Sequence, residues 1–263
     1  MFLVFGFWFI DIAIYVCYHT SVFKSLLDGL CDLVYPPYCL LCRKQNPPHS
    51  LKEILCPQCQ NSIQFNRPPF CLKCSRHLDD HDLSPRCANC SQTELHFDFA
   101  WGACLYKDPL RDFIHQFKYH EKTLFRNLFT RLMTTFIHSY HLDIQQFDAI
   151  LPIPLSSTRH RERGFNQSQL LAQGISEQFS IPMSLDHLQK VRHTKHQTQL
   201  SQKERWTNVN GAFRIKHSRE FLDKNILLVD DLLTTGATAS EAALILKKAG
   251  ANRVGILTLA IAV

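Results

Sequence analysis

Two adjacent acids, Asp230 and Asp231, follow the apolar run Ile226-Leu227-Leu228-Val229. They precede a loop of small residues, Thr234-Thr235-Gly236-Ala237-Thr238. The apolar run reads as a short buried strand over 225–229, and a helical pattern runs from Thr238 to Ala249 with Gly250 at its stop. In open α/β sheets, ligands bind outside the carboxyl ends of the strands. A helix N-terminus at such a place offers unpaired N–H groups and the positive end of a dipole, which suits a phosphate. Threonine hydroxyls add donors, and Gly236 lets the backbone approach closely. Asp230 and Asp231 repel phosphate, so their place is on the hydroxyls of a sugar lying between strand end and phosphate, with a divalent cation nearby. The ligand this chemistry asks for is a ribose 5-phosphate, with Asp230 and Asp231 as the candidate catalytic pair. The ordinary alternative is an Asp-rich turn followed by threonine helix caps. The order of acids, Thr-Thr-Gly and helix start favours the phosphate.

A second group of residues speaks to metal. Eight of the eleven cysteines form Cys-x-x-Cys pairs: Cys39/Cys42, Cys56/Cys59, Cys71/Cys74 and Cys87/Cys90. A two-residue gap lets two thiolates face one tetrahedral ion, and disulfide frameworks rarely repeat that spacing. The pattern argues for two structural Zn2+ ions and a reducing compartment, the cytoplasm. The simplest partition joins Cys39, Cys42, Cys56 and Cys59 in one site and Cys71, Cys74, Cys87 and Cys90 in the other; crossed pairing stays open. Cys17, Cys31 and Cys104 read as ordinary core residues.

Other elements must position these groups. With 263 residues, 45% of them hydrophobic and 20% charged, the chain can bury one sizeable α/β core beside a smaller module. The formal charge of +6 suits an anionic partner, a phosphorylated ligand or nucleic acid. Residues 22–34 have helical spacing, and the Pro-rich stretch 39–90 holds too few apolar residues to fold without metal. From Phe97 onward strands alternate with helices: a strand over 97–106, helices from Asp108-Pro109 and over 123–140, a strand over 147–154, a helix over 166–179 and a last strand over 253–262. That alternation predicts a mainly parallel sheet with helices on both faces. Residues 159–163 read as a basic segment that favours an anion-binding role, the ordinary alternative being a solvated basic loop. Residues 190–214 are polar and turn-like, of the kind that forms lids. The expected division is 1–21, 22–96 and 97–263. Residues 1–21 are apolar with Asp11 inside, and read either as a loose membrane anchor or as an extension ahead of the true start.

Val229 to Thr238 resembles the signature of type I phosphoribosyltransferases. With the four cysteine pairs upstream, the chain resembles the ComF family (ComFC and GntX-like proteins), which joins a double zinc ribbon to such a domain. Further matching stretches are Cys39-Leu40-Leu41-Cys42, Phe117-Lys118-Tyr119, Arg163-Gly164-Phe165-Asn166-Gln167, Gln197-Thr198-x-Leu200, and Arg205 with Asn208-Val209-x-Gly211-x-Phe213. The resemblance implies that Thr234, Thr235, Gly236, Ala237 and Thr238 bind the 5-phosphate of phosphoribosyl pyrophosphate (PRPP), accompanied by Mg2+. It implies a pyrophosphate loop at Pro154, Leu155 and Ser156, with Arg161 or Arg163 neutralising the diphosphate. It also implies a flexible loop in which Gln197, Thr198 and Arg205 close over the ligand. The ribbon would sit where other members carry the hood that recognises the accepting base, so the acceptor has no reader in the sequence. The implied role is entry of transforming single-stranded DNA into the cytoplasm beside a translocase and helicase. Two rivals are an active phosphoribosyltransferase of nucleotide or cofactor metabolism and a PRPP-responsive interaction module without turnover.

Overall fold

The computed structural model describes residues 38–39, 41–44, 55–78, 84–118, 122–192 and 202–262. The apolar start, the helix expected over 22–34, and Gln197 and Thr198 lie outside the described residues. The described residues divide into two compact units between Ser62 and Ile63. The smaller unit holds the first cysteine group and helix α1 (Pro57–Asn61). The larger holds the second cysteine group, helix α2 (Ala88–Gln92), and everything that follows.

In the larger unit, β1 (Phe99–Leu105) leads through α3 (Leu110–Phe117) and α4 (Lys122–Ser139) to β2 (Ala149–Pro152). Then come α5 (Ser157–Arg163), α6 (Gln167–Phe179), β3 (Leu188–Lys190), α7 (Gln202–Val209) and β4 (Phe213–Ile215). The chain finishes with β5 (Asn225–Leu233), α8 (Ala237–Lys248) and β6 (Arg253–Ile261). Four strands form one parallel sheet in the order β1-β6-β5-β2, and β3 pairs antiparallel with β4. Ile226, Leu227, Leu228 and Val229 are all fully buried, as a central parallel strand covered on both faces requires. Ile226, Leu228, Val254 and Ile256 share a buried cluster with Ala239, Ala242, Ala243 and Leu246 of α8. On the sheet's other face α4 and α6 pack on each other and on the strands. They cross closely at Gly174, where any added Cβ would fall inside contact distance of the Thr130 hydroxyl.

Three readings change. β5 does not end at Val229 but continues to Leu233, because β6 pairs with it as far as Leu233↔Ile261. The basic segment 159–163 is not a loop but lies in α5, capped by the Ser156 hydroxyl and stopped by Gly164 at φ 72°. None of its residues is buried, so no apolar period announced it. The polar stretch 190–214 contains α7 and β4; α7 packs on α8, and Val209 is buried while Trp206 is partly so.

Candidate functional site

β2 and β5 run as a ladder whose last rung is the bond from the Ile153 amide to the Val229 carbonyl, 2.9 Å. In a parallel ladder the next rung would run from the Asp231 amide to the Ile153 carbonyl. Both groups are engaged elsewhere. The Ile153 carbonyl accepts from Asn166 Nδ2 at 3.0 Å, and the Asp231 amide donates to Asp230 Oδ1 at 2.9 Å. The strands part at this point, and a cleft of about 180 Å³ opens between them.

Ten residues singled out from the sequence line this cleft: Asp230, Asp231, Thr234, Gly236, Ala237, Thr238, Pro154, Leu155, Arg163 and Arg205. Gly236 takes φ 80° at the cap of α8, a left-handed conformation that favours glycine, and so delivers the chain into the helix start. Thr235 is absent from the cleft lining, and its hydroxyl accepts from the Ala237 amide at 3.4 Å. Ser156 is buried as the α5 cap rather than facing the cleft, and Arg161 is exposed outside it.

Among the other lining residues, Ser168, Lys118, Arg159 and Lys190 bring polar or charged groups that had no role assigned from the sequence. Ser168, in the first turn of α6, donates to Asp230 Oδ1 at 2.8 Å. Lys118 follows α3, and its ammonium lies 3.3 Å from Asp231 Oδ2 with both side chains largely buried. The aromatic face of α3 fixes that position: the Phe117 ring meets Phe125, Phe129 and Phe165. Gln167 ties the same corner together, donating to the Lys118 carbonyl and accepting from Arg163. The advance signals were slight: Lys118 lies inside a matching stretch, Ser168 just past another, Arg159 opens the basic segment and Lys190 opens the lid-like stretch.

Burial, and next the charge of Asp231, push the Asp230 carboxyl up to about 7; Ser168, the Asp231 amide and Lys118 oppose the shift. Burial, and next Arg159, bring Lys190 down to about 8, with Asp230 opposing. The cleft therefore brings together three kinds of group: the α8 N-terminus with its threonines, the acid pair, and the positive charge of Arg159, Arg163, Lys190 and Arg205. A ligand that carries both anionic groups and hydroxyls matches this lining.

The cysteine thiols gather into two groups, Cys39-Cys42-Cys56-Cys59 and Cys71-Cys74-Cys87-Cys90, with the sulfurs of each within 4.8 Å of one another. Both groups are built alike. Cys39 and Cys71 each accept from the amide four residues on and donate to the carbonyl five residues on. Arg43 and Ser75 take positive φ at the turn, and Cys56 and Cys87 cap the short helices α1 and α2. In the second group hydrogen bonds from Cys74 and Cys90 pull the Cys71 thiol down, and the bond to Cys71 pushes Cys90 up. A divalent cation relieves such sharing of protons by displacing them. Four thiolates complete a tetrahedral ligand set, which fits a structural zinc.

The double zinc ribbon domain model matches residues 30–91, and the phosphoribosyl transferase domain model matches residues 166–262. Competence protein F of Haemophilus influenzae is 32% identical over 228 residues, covering 84% of this chain and 96% of that protein. The DNA utilization protein YhgH of Escherichia coli K12 is 30% identical, covering 65% of this chain and 81% of its own length. Competence protein ComFC of Streptococcus pneumoniae is 29% identical, covering 66% of this chain and 79% of that protein.

Proposed function

This chain belongs to the ComF family, and on that premise we propose that it binds PRPP in the cleft beside β5 and serves the uptake of transforming single-stranded DNA in the cytoplasm. The observation that carries the PRPP reading is the meeting of the α8 N-terminus, the acid pair and four cationic side chains in one cleft. The α8 N-terminus receives the 5-phosphate, and Asp230 and Asp231 accept from the ribose hydroxyls. Arg159, Arg163, Lys190 and Arg205 meet the diphosphate, and Leu155 and its neighbours close the far wall. Magnesium brought in with PRPP would stabilise the negative charge that departs with pyrophosphate, and Asp230 and Asp231 are the carboxylates that would hold it. Ser168 and Lys118 hold the two carboxylates in place before ligand arrives. The DNA role follows the names of the competence and DNA utilization relatives and the basic excess of the chain. Single-stranded DNA and a translocase or helicase are the partners that role requires.

Calorimetric titration of PRPP with magnesium into wild type and the Asp230→Ala/Asp231→Ala variant tests the ligand. Wild type should bind, and the variant should lose at least about tenfold in affinity, the scale of charge-assisted hydrogen bonds. Equal binding by both would sink the assignment of the acid pair. Transformation efficiency of a strain carrying the double variant tests the DNA role, with an expected fall toward that of a deletion strain. Release of pyrophosphate in the presence of nitrogen-base acceptors would instead place the protein among active transferases.

A further inference from the structure

The phosphate loop rests on the second cysteine group. Its knuckle is Cys71 to Arg76, closed by bonds from the Ser75 amide to the Cys71 carbonyl (2.9 Å) and from the Cys71 amide to the Arg76 carbonyl (2.7 Å). From that turn the Arg76 side chain reaches across 158 residues of sequence, Nη2 donating to the Thr234 carbonyl at 3.0 Å. Its Nε donates to the Ala262 carbonyl at 3.2 Å. Thr234 opens the phosphate loop, and Ala262, just past β6, is itself bound to Leu233 through its amide at 2.9 Å. One guanidinium thus forks across both chains at the point where the loop leaves the sheet, a geometry that suits its planar donors.

The rest of the segment forms a floor under the same loop. A Cβ at Gly236 would meet Leu95 at 3.5 Å and the Phe97 ring at 3.6 Å, and the His96 amide donates to Ser240 Oγ at 3.0 Å. Lys73, between Cys71 and Cys74, donates to the Phe97 carbonyl and lies over the Phe97 ring. Ser75 and Asn66 tie the knuckle to β1 at Gly102 through buried hydrogen bonds. Arg76, Leu95 and Phe97 are absent from the cleft lining, so they act on the loop from behind. The first cysteine group offers a contrast, because its equivalent of Arg76 is Lys44, which is exposed.

The orientation has an electrostatic meaning. A peptide carbonyl turned into the cleft would set its negative end against a phosphate. Arg76 holds the Thr234 carbonyl toward the ribbon, and in a trans peptide the Thr235 N–H then points the opposite way. We propose that Arg76 is the positioning residue of the phosphate loop, through which the zinc-closed second cysteine group sets the cleft's affinity for the 5-phosphate end of its ligand. This rests on the PRPP reading above and adds to it a dependence on the ribbon.

The test separates the two ends of the ligand. Ribose 5-phosphate and inorganic pyrophosphate are titrated separately into the full-length, zinc-loaded protein as wild type, Arg76→Met and Arg76→Lys. Arg76→Met should bind ribose 5-phosphate about tenfold more weakly, hold pyrophosphate within about twofold, and keep the wild-type zinc content. Arg76→Lys restores one donor and should fall between. Amide exchange at 234–238 should quicken in Arg76→Met without a matching change in β2. Unchanged ribose 5-phosphate affinity in Arg76→Met overturns the proposal, as does an equal loss of both ligands with zinc retained. If Arg76→Met fails to fold, Arg76→Lys decides alone, and wild-type affinity in that variant overturns it. A wild-type protein that binds neither ligand removes the PRPP reading itself, and this proposal with it.

Discussion

At Asp230, burial and the neighbouring Asp231 both oppose ionisation, while Ser168 and Lys118 favour it, and the balance leaves the carboxyl near neutrality. Lys190 is displaced in the other direction, toward about 8. Acceptance of ribose hydroxyls needs the ionised carboxylate, so affinity should fall as pH drops through about 7 and Asp230 takes up a proton. Attraction of the diphosphate needs the ammonium, so affinity should fall again as pH rises through about 8. Titrations of PRPP from pH 5.5 to 9.5 should therefore give a bell with its top between those values. Removing the repulsion in Asp231→Asn should carry the acid limb to lower pH, and Lys190→Met should erase the alkaline limb. An acid limb that stays in place in Asp231→Asn would show that another group sets it.

The elements that carry the acid pair and the phosphate loop were legible because each is marked by local chemistry. β5 is a run of four apolar residues, and the loop after it combines threonine with the one residue type suited to φ 80°. The cysteine spacing marked the metal groups in the same way. What stayed hidden was set by tertiary contact. α5 buries none of its own residues, α7 is anchored mainly through Trp206 and Val209, and the extension of β5 past Val229 depends on β6. Ser168 and Lys118 were hidden for the same reason, since their meaning comes from where α6 begins and α3 ends against β5. Helix packing also yields a stability test. Gly174→Ala should drive α4 and α6 apart and cost about 1–3 kcal/mol, the range for overpacking. The buried Thr130 hydroxyl has no hydrogen-bond partner among the described residues, so Thr130→Ala alone should be nearly neutral and should recover most of the loss in the double variant. Denaturant midpoints of the four proteins decide the matter, and simple additivity would refute the close crossing.

Across the whole molecule, the two cysteine groups share one construction yet lie in different compact units. The larger unit holds the second group together with the sheet and the cleft, so the ribbon copy there is part of the ligand-binding body. No helix among the described residues is long and apolar enough to cross a membrane. The same body depends on a seam left deliberately unstitched. One side-chain amide, that of Asn166, occupies the carbonyl that would otherwise let β2 knit onward along β5. Asn166→Leu vacates that carbonyl and strips the cap of α6, where Asn166 Oδ1 accepts from the Ser168 amide at 3.1 Å. Such a protein should lose about 0.5–2 kcal/mol of stability with the cap and lose ligand affinity as the cleft rearranges, which thermal melts and PRPP titration read separately. In this molecule the working cavity is a fault line in the sheet, kept from healing by two side chains, the Asn166 amide on the Ile153 carbonyl and the Asp230 carboxylate on the Asp231 amide.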